Sequence, residues 1–86
     1  MDIHQMIAEF EALVLRIASI TDFMVRKDLL KIAHRAGDIR RAISNEEVNC
    51  RRLQRPTSKY NELVNEFEQV LNTLSEYTTL ALLLKT

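Results

Sequence analysis

The sequence predicts an all-α protein, a helical hairpin or three-helix bundle of long amphipathic helices that is oligomeric. Three observations predict it. Apolar side chains recur every three or four residues along most of the chain. Gly37 and Pro56 are the only glycine and proline among 86 residues. Leu, Ile, Ala, Glu, Arg and Asn dominate, a composition poor in the turn residues of a sandwich or barrel. The 47% apolar content is ordinary for a globular chain, and 28% charged residues is slightly high.

The first periodic segment, about residues 2–20, places Ile3, Met6, Ile7, Phe10, Leu13, Val14, Ile17 and Ile20 on one helix face. The stripe then slips by one residue between Met24 and Val25, so a break is expected near Ser19–Asp22, with Thr21 or Asp22 capping the next helix. In the second segment, residues 22–54, Val25, Leu29, Ile32, Ala36, Ile39 and Ile43 continue one stripe; the same register meets Glu46 and resumes at Cys50 and Leu53. Two signals interrupt it. Gly37-Asp38 is the weaker, and Ser44-Asn45-Glu46-Glu47 has the form of a capping box with Ile43 and Val48 as its hydrophobic staple. The unbroken register favours one long helix, kinked near 37–44, over two shorter ones. Pro56 ends that helix near Leu53 or Gln54, because its ring disfavours helical backbone at Arg55 and it has no N–H to donate. Thr57 or Ser58 then caps a third helix, residues 57–85, with Tyr60, Leu63, Phe67, Val70, Leu74, Tyr77, Ala81 and Leu84 on its stripe and Val64, Leu71 and Thr78 beside them. Spacing sustained near 3.5 residues favours long helices packed nearly antiparallel.

One domain, residues 1–86, is as much as this length supports, and its core is thin: such a chain buries only roughly 60–65% of its unfolded surface. Small domains compensate with disulfides, a metal or oligomerisation. Cys50 is the only cysteine, which excludes an intrachain disulfide and cysteine-rich metal sites, and it reads as a small apolar residue on a helix face. A reducing, cytoplasmic compartment fits this usage. The N-terminal stretch is acidic and not a signal peptide, and no apolar run approaches the roughly 20 residues of a membrane span.

Charge is segregated beneath a net value of zero. Residues 26–59 carry ten basic and four acidic side chains, whereas residues 1–25 and 60–86 each carry four acidic and one basic. A basic helix lying between two acidic ones gains complementary rim charges, which select pairing and orientation. Arg40, Arg41, Arg51, Arg52 and Arg55 also form a candidate surface for an anionic partner, nucleic acid or an acidic protein. The absence of aromatic residues from 26–59 removes the base-stacking platform that nucleic-acid binding uses.

Catalytic and cofactor chemistry finds little footing. His4 and His34 stand 30 positions apart without a third placed ligand, so no metal site is expected. One glycine cannot make a phosphate-cradling loop. Glu46-Glu47 and Glu66/Glu68 read as a helix N-terminal turn and a solvated face. Helical chorismate mutases share this size and a long dimerising helix, but Gln5, Gln54 and Gln69 do not fall into the spaced Arg, Lys, acidic and Gln set that their activity needs. No enzyme, cofactor or small-molecule substrate is expected.

Pro56-Thr57-Ser58-Lys59-Tyr60, followed by a helix holding Leu74-Ser75-Glu76-Tyr77-Thr78, resembles the C-terminal half of type III secretion needle subunits and their small hairpin co-chaperones. The resemblance covers about a third of the chain and implies a helical hairpin acting as an assembly component or co-chaperone. Leu80–Thr86 departs from it, standing where a needle subunit has a longer C-terminal helix.

The expected function is a non-enzymatic protein–protein interaction module, a small regulator, inhibitor or chaperone that self-associates and binds a partner through apolar helix faces. The alternative is a small nucleic-acid-binding regulator using the Arg-rich middle helix. Leu80, Leu82, Leu83 and Leu84 are the expected partner interface, because with Ala81 they put apolar side chains all round the helix end and such a helix must be covered on every side. A two-fold homodimer is the default closure.

Overall fold

The computed structural model describes residues 2–84 as three helices, α1 (Ile3–Ala18), α2 (Phe23–Leu53) and α3 (Ser58–Leu83), with no strand among the described residues. The all-α three-helix bundle read from the sequence is the fold. The expected extension of the third helix to Lys85 falls outside the described residues.

Each helix starts where a side chain satisfies its unpaired N–H groups. At α1, the Asp2 carboxylate accepts the Gln5 N–H at 2.8 Å while the Gln5 side chain accepts the Asp2 N–H at 3.1 Å, a reciprocal capping box. Asp22 caps α2 by accepting the Val25 N–H at 3.1 Å, and Thr57 caps α3 by accepting the Tyr60 N–H at 3.0 Å. The end of α2 is equally local. Gln54 adopts φ 57, the left-handed conformation, its N–H turns back to the Arg51 and Cys50 carbonyls, and the Arg55 N–H reaches the Cys50 carbonyl at 3.1 Å. Pro56 follows with no N–H to continue the ladder.

Both candidate breaks inside α2 are overridden. The helix is continuous across Gly37 and Ser44, and Ile39, Ile43 and Glu46 stay buried on one face throughout. A cap at Ser44 would need that residue to leave helical backbone and carry the stripe out of register; Ser44 stays exposed instead. Gly37 keeps helical backbone as well. It lies under the Phe10 ring, where an added Cβ would meet Phe10 Cζ at 3.9 Å, an ordinary contact.

At about 1.5 Å per residue the helices are about 24, 46 and 39 Å long, which accounts for the elongated 50 × 20 × 16 Å molecule. Its radius of gyration of 14.5 Å exceeds the roughly 12 Å of a compact chain this long. Both neighbouring pairs run antiparallel. The core holds Met6, Phe10, Leu13 and Ile17 of α1, Leu29, Ala33, Ala36, Ile39 and Ile43 of α2, and Phe67, Val70, Leu71 and Leu74 of α3. Phe10 meets Phe67 edge to face, centroids 6.0 Å apart at 70°, which ties the first helix to the third. Ile20, fully buried in the α1–α2 link, plugs the core from the side, and Arg26 Nη1 donates to its carbonyl at 2.7 Å.

The predicted stripes hold along α1 and along α2 as far as Cys50, but Leu53 at the end of α2 is exposed and the α3 stripe drifts near its end. There the inward positions are Thr78, whose hydroxyl donates to the Leu74 carbonyl at 2.7 Å, and half-buried Ala81 and Leu82; Tyr77 and Leu84, expected on the stripe, are exposed.

Because a Cβ fits at Gly37, the Gly37→Ala variant is expected to gain about 1 kcal/mol by restricting the unfolded chain. Thermal unfolding checks it: a midpoint raised by about 4–8 °C is expected for a domain this small. A lowered midpoint would show that Phe10 cannot tolerate the methyl group.

Candidate interaction surfaces

Two surfaces stand out, one at each end of the long axis. The first follows from the mismatch in helix length. With Phe10 set opposite Gly37 in an antiparallel pair, the last residue of α1 falls opposite about position 29 of α2. The first turns of α2 and the last turns of α3 therefore run as a two-helix section, partly closed by the link at Ile20. Two helices cannot bury apolar side chains on all sides. Leu80, Leu83 and Leu84 are 53%, 65% and 79% exposed, and Phe23 and Met24 lie exposed at the same end. Between the helices a mainly apolar depression of about 360 Å³ is lined by Val25, Leu29, Ile32, Tyr77, Leu80, Ala81 and Leu84, with Asp28 as its one charged side chain. Of the four leucines expected at a partner interface, three are presented to solvent. Leu82 differs: it is half-buried against the core.

The second surface lies at the α2–α3 turn, where the start of α1 meets the end of α2. Ile3, Ile7, Pro56 and Tyr60 form the apolar part of a groove of about 400 Å³, and His4, Glu47, Cys50, Arg51 and Arg55 complete its lining. Arg51 stands 4.0 Å from Glu47, and among the described residues Arg55 has no carboxylate within ion-pair distance. The five arginines of the candidate anionic-partner surface are thus divided. Arg51 and Arg55 share this groove, with Arg52 exposed nearby. Arg41 pairs with Asp38 within α2 and lines a different depression beside Phe10, and Arg40 is half-buried.

Expected pairing of the basic helix with its acidic neighbours is mostly unrealised. Among the described residues the one cross-helix ion pair is Arg35 with Glu66 at 3.7 Å, both exposed, a contact of at most about 1 kcal/mol. Interhelical packing at this bundle's surface leaves most carboxylates on outward faces, and α2's basic side chains other than half-buried Arg26 and Arg40 meet solvent.

The turn is held by a residue that the sequence reading placed in a helix N-terminal turn. Glu46 is buried, its Oε2 accepting the Thr57 hydroxyl at 2.6 Å and its Oε1 accepting the Asn49 amide at 3.1 Å. Thr57 Oγ1 donates to Glu46 and accepts the Tyr60 N–H, so one hydroxyl both caps α3 and anchors it to α2. The signal for this was visible: Glu46 occupies an apolar-stripe position, and a carboxylate there needs a partner. The Thr57 hydroxyl first, then the Asn49 amide and the charge of Lys59, hold the Glu46 carboxyl below its usual value against the opposing effect of burial. Burial, with the charges of Glu47 and Cys50, pushes the Tyr60 phenol up.

Among the described residues no cluster of His, Cys, Asp and Glu can hold a metal ion, and no helix is long and apolar enough to cross a membrane. His4 and His34 line separate depressions. No protein-family model, curated protein or solved structure matches this chain.

A carboxyl held low in the folded state contributes stability that is complete above its unfolded pKa and is lost as pH falls through its folded pKa. Wild-type protein is therefore expected to lose stability as pH drops below about 4. Glu46→Gln should lower stability at neutral pH and flatten this acid limb, as read by chemical denaturation across pH. An unchanged acid limb would assign the loss to other carboxylates.

Proposed function

We infer that this protein is a non-enzymatic helical interaction module that self-associates and binds a partner through apolar helix faces, as small regulators, inhibitors and chaperones do. The observation that carries the reading is the open two-helix end, where Leu80, Leu83 and Leu84 lie exposed beside an apolar depression. Exposed leucines clustered around a groove mark an interaction site. A groove between two helices can receive an amphipathic helix, whose apolar side chains at three- and four-residue spacing fill such a seam. A second copy would supply one, because its own α3 end carries the same exposed leucines, and a two-fold pairing is the commonest closed symmetry. The division of the arginines supports this reading over nucleic acid, because a phosphate-tracking surface needs its cations on one face.

Sedimentation tests it. Wild-type protein is expected to dimerise with a dissociation constant of about micromolar order. Leu80→Glu with Leu83→Glu is expected to give a monomer whose helical circular dichroism is unchanged. Leu82→Glu, by contrast, should lower the unfolding midpoint, because that side chain packs on the core. A wild-type protein that stays monomeric at high concentration overturns self-association.

A further inference from the structure

We propose that the groove at the α2–α3 turn binds an amphipathic monocarboxylate, a ligand with one carboxylate and a short aliphatic body. This site is separate from the leucine-rich end and does not depend on self-association.

Its parts come from three segments. Ile3 and Ile7 of α1, with Pro56 before α3 and Tyr60 in its first turn, supply apolar walls, while Arg51 of α2 and the following Arg55 stand at the same groove. Ligand sites combine a mainly apolar lining with a few placed polar groups, and a volume of about 400 Å³ suits a small molecule. A guanidinium presents a planar fork that matches a carboxylate with two parallel hydrogen bonds.

The cationic side of the site is held ready by its surroundings. Arg55 follows the left-handed Gln54, is tied through its N–H to the Cys50 carbonyl at 3.1 Å and precedes Pro56, so the origin of its side chain is fixed. Glu46, the buried carboxylate of this turn, is engaged by Thr57 and Asn49. The single carboxylate in the lining, Glu47, lies 4.0 Å from Arg51 and offsets one of the two arginines. One net cation above an apolar floor matches a monoanion. A polyphosphate would confront Glu47 and leave the apolar wall unused.

An NMR titration of the full chain with octanoate, 1-octanol, hexanoate and octyl phosphate at neutral pH tests the assignment. Octanoate is expected to give saturable shifts at the Ile3 and Ile7 methyls and the Tyr60 ring, and to bind at least about tenfold more tightly than octanol. Loss of two methylenes should weaken hexanoate by about fifteenfold. Arg55→Gln should reduce octanoate to the affinity of octanol and Arg55→Lys should restore part of the difference, both with unchanged circular dichroism. Arg40→Gln should have no effect. The proposal is overturned by equal binding of octanoate and octanol, by tighter binding of octyl phosphate, by an unaffected Arg55→Gln, or by shifts confined to the Leu80–Leu84 end. Absence of saturable shifts to about 20 mM, an affinity too weak for a built site, also overturns it.

Discussion

Three helices of unequal length cannot close one core along their whole length, and most of this molecule's character follows from that constraint. The 16 residues of α1 accompany the hairpin of α2, with 31, and α3, with 26, over only part of its extent. Where all three run together, Met6, Phe10, Leu13, Ile17, Ile43, Phe67, Leu71 and Leu74 are nearly or wholly excluded from solvent. Where two run alone, the same kinds of side chain remain on the surface. Burial of apolar area is the main favourable term in folding, so the open end forgoes stabilisation that a partner surface would supply.

The opposite end is organised by polar groups. Carboxylate, hydroxyl and backbone N–H form a chain from Glu46 through Thr57 to Tyr60, joining the packing face of α2 to the first turn of α3. Each member serves two purposes. Glu46 keeps a stripe position occupied without leaving a buried charge unpartnered, and Thr57 caps a helix while fixing the direction in which it leaves the turn. A charge-assisted hydrogen bond of this kind is stronger than a neutral one, and removing one partner would leave the other buried and unsatisfied.

Electrostatics select little inside the bundle. The basic stretch between two acidic ones looked suited to cross-helix pairing, yet the cation-bearing positions of α2 lie largely outside the seams, and only Arg35 meets an acidic neighbour on another helix among the described residues. Charge segregated along a chain is not charge placed face to face, because helical rotation decides which side chains meet. The result is a basic middle helix whose Arg51 and Arg55 converge on a groove at the turn.

Legible in the residues alone were the all-helical class, the breaks at Ser19–Asp22 and Pro56, a cap narrowed to Thr21 or Asp22 before α2 and to Thr57 or Ser58 before α3, and most of the core faces of the first two helices. These are short-range properties, set by residues within one or two turns. Only the tertiary structure decided that Ser44 and Gly37 would not interrupt α2, since the competing term is burial against another helix rather than a local bond. Only it turned Leu82 toward the core and Leu84 away, because near the end of α3 the inward face depends on where α1 stops. And only it brought Ile3 and Tyr60 to the groove where Arg51 and Arg55 stand, joining segments that no spacing in the chain relates.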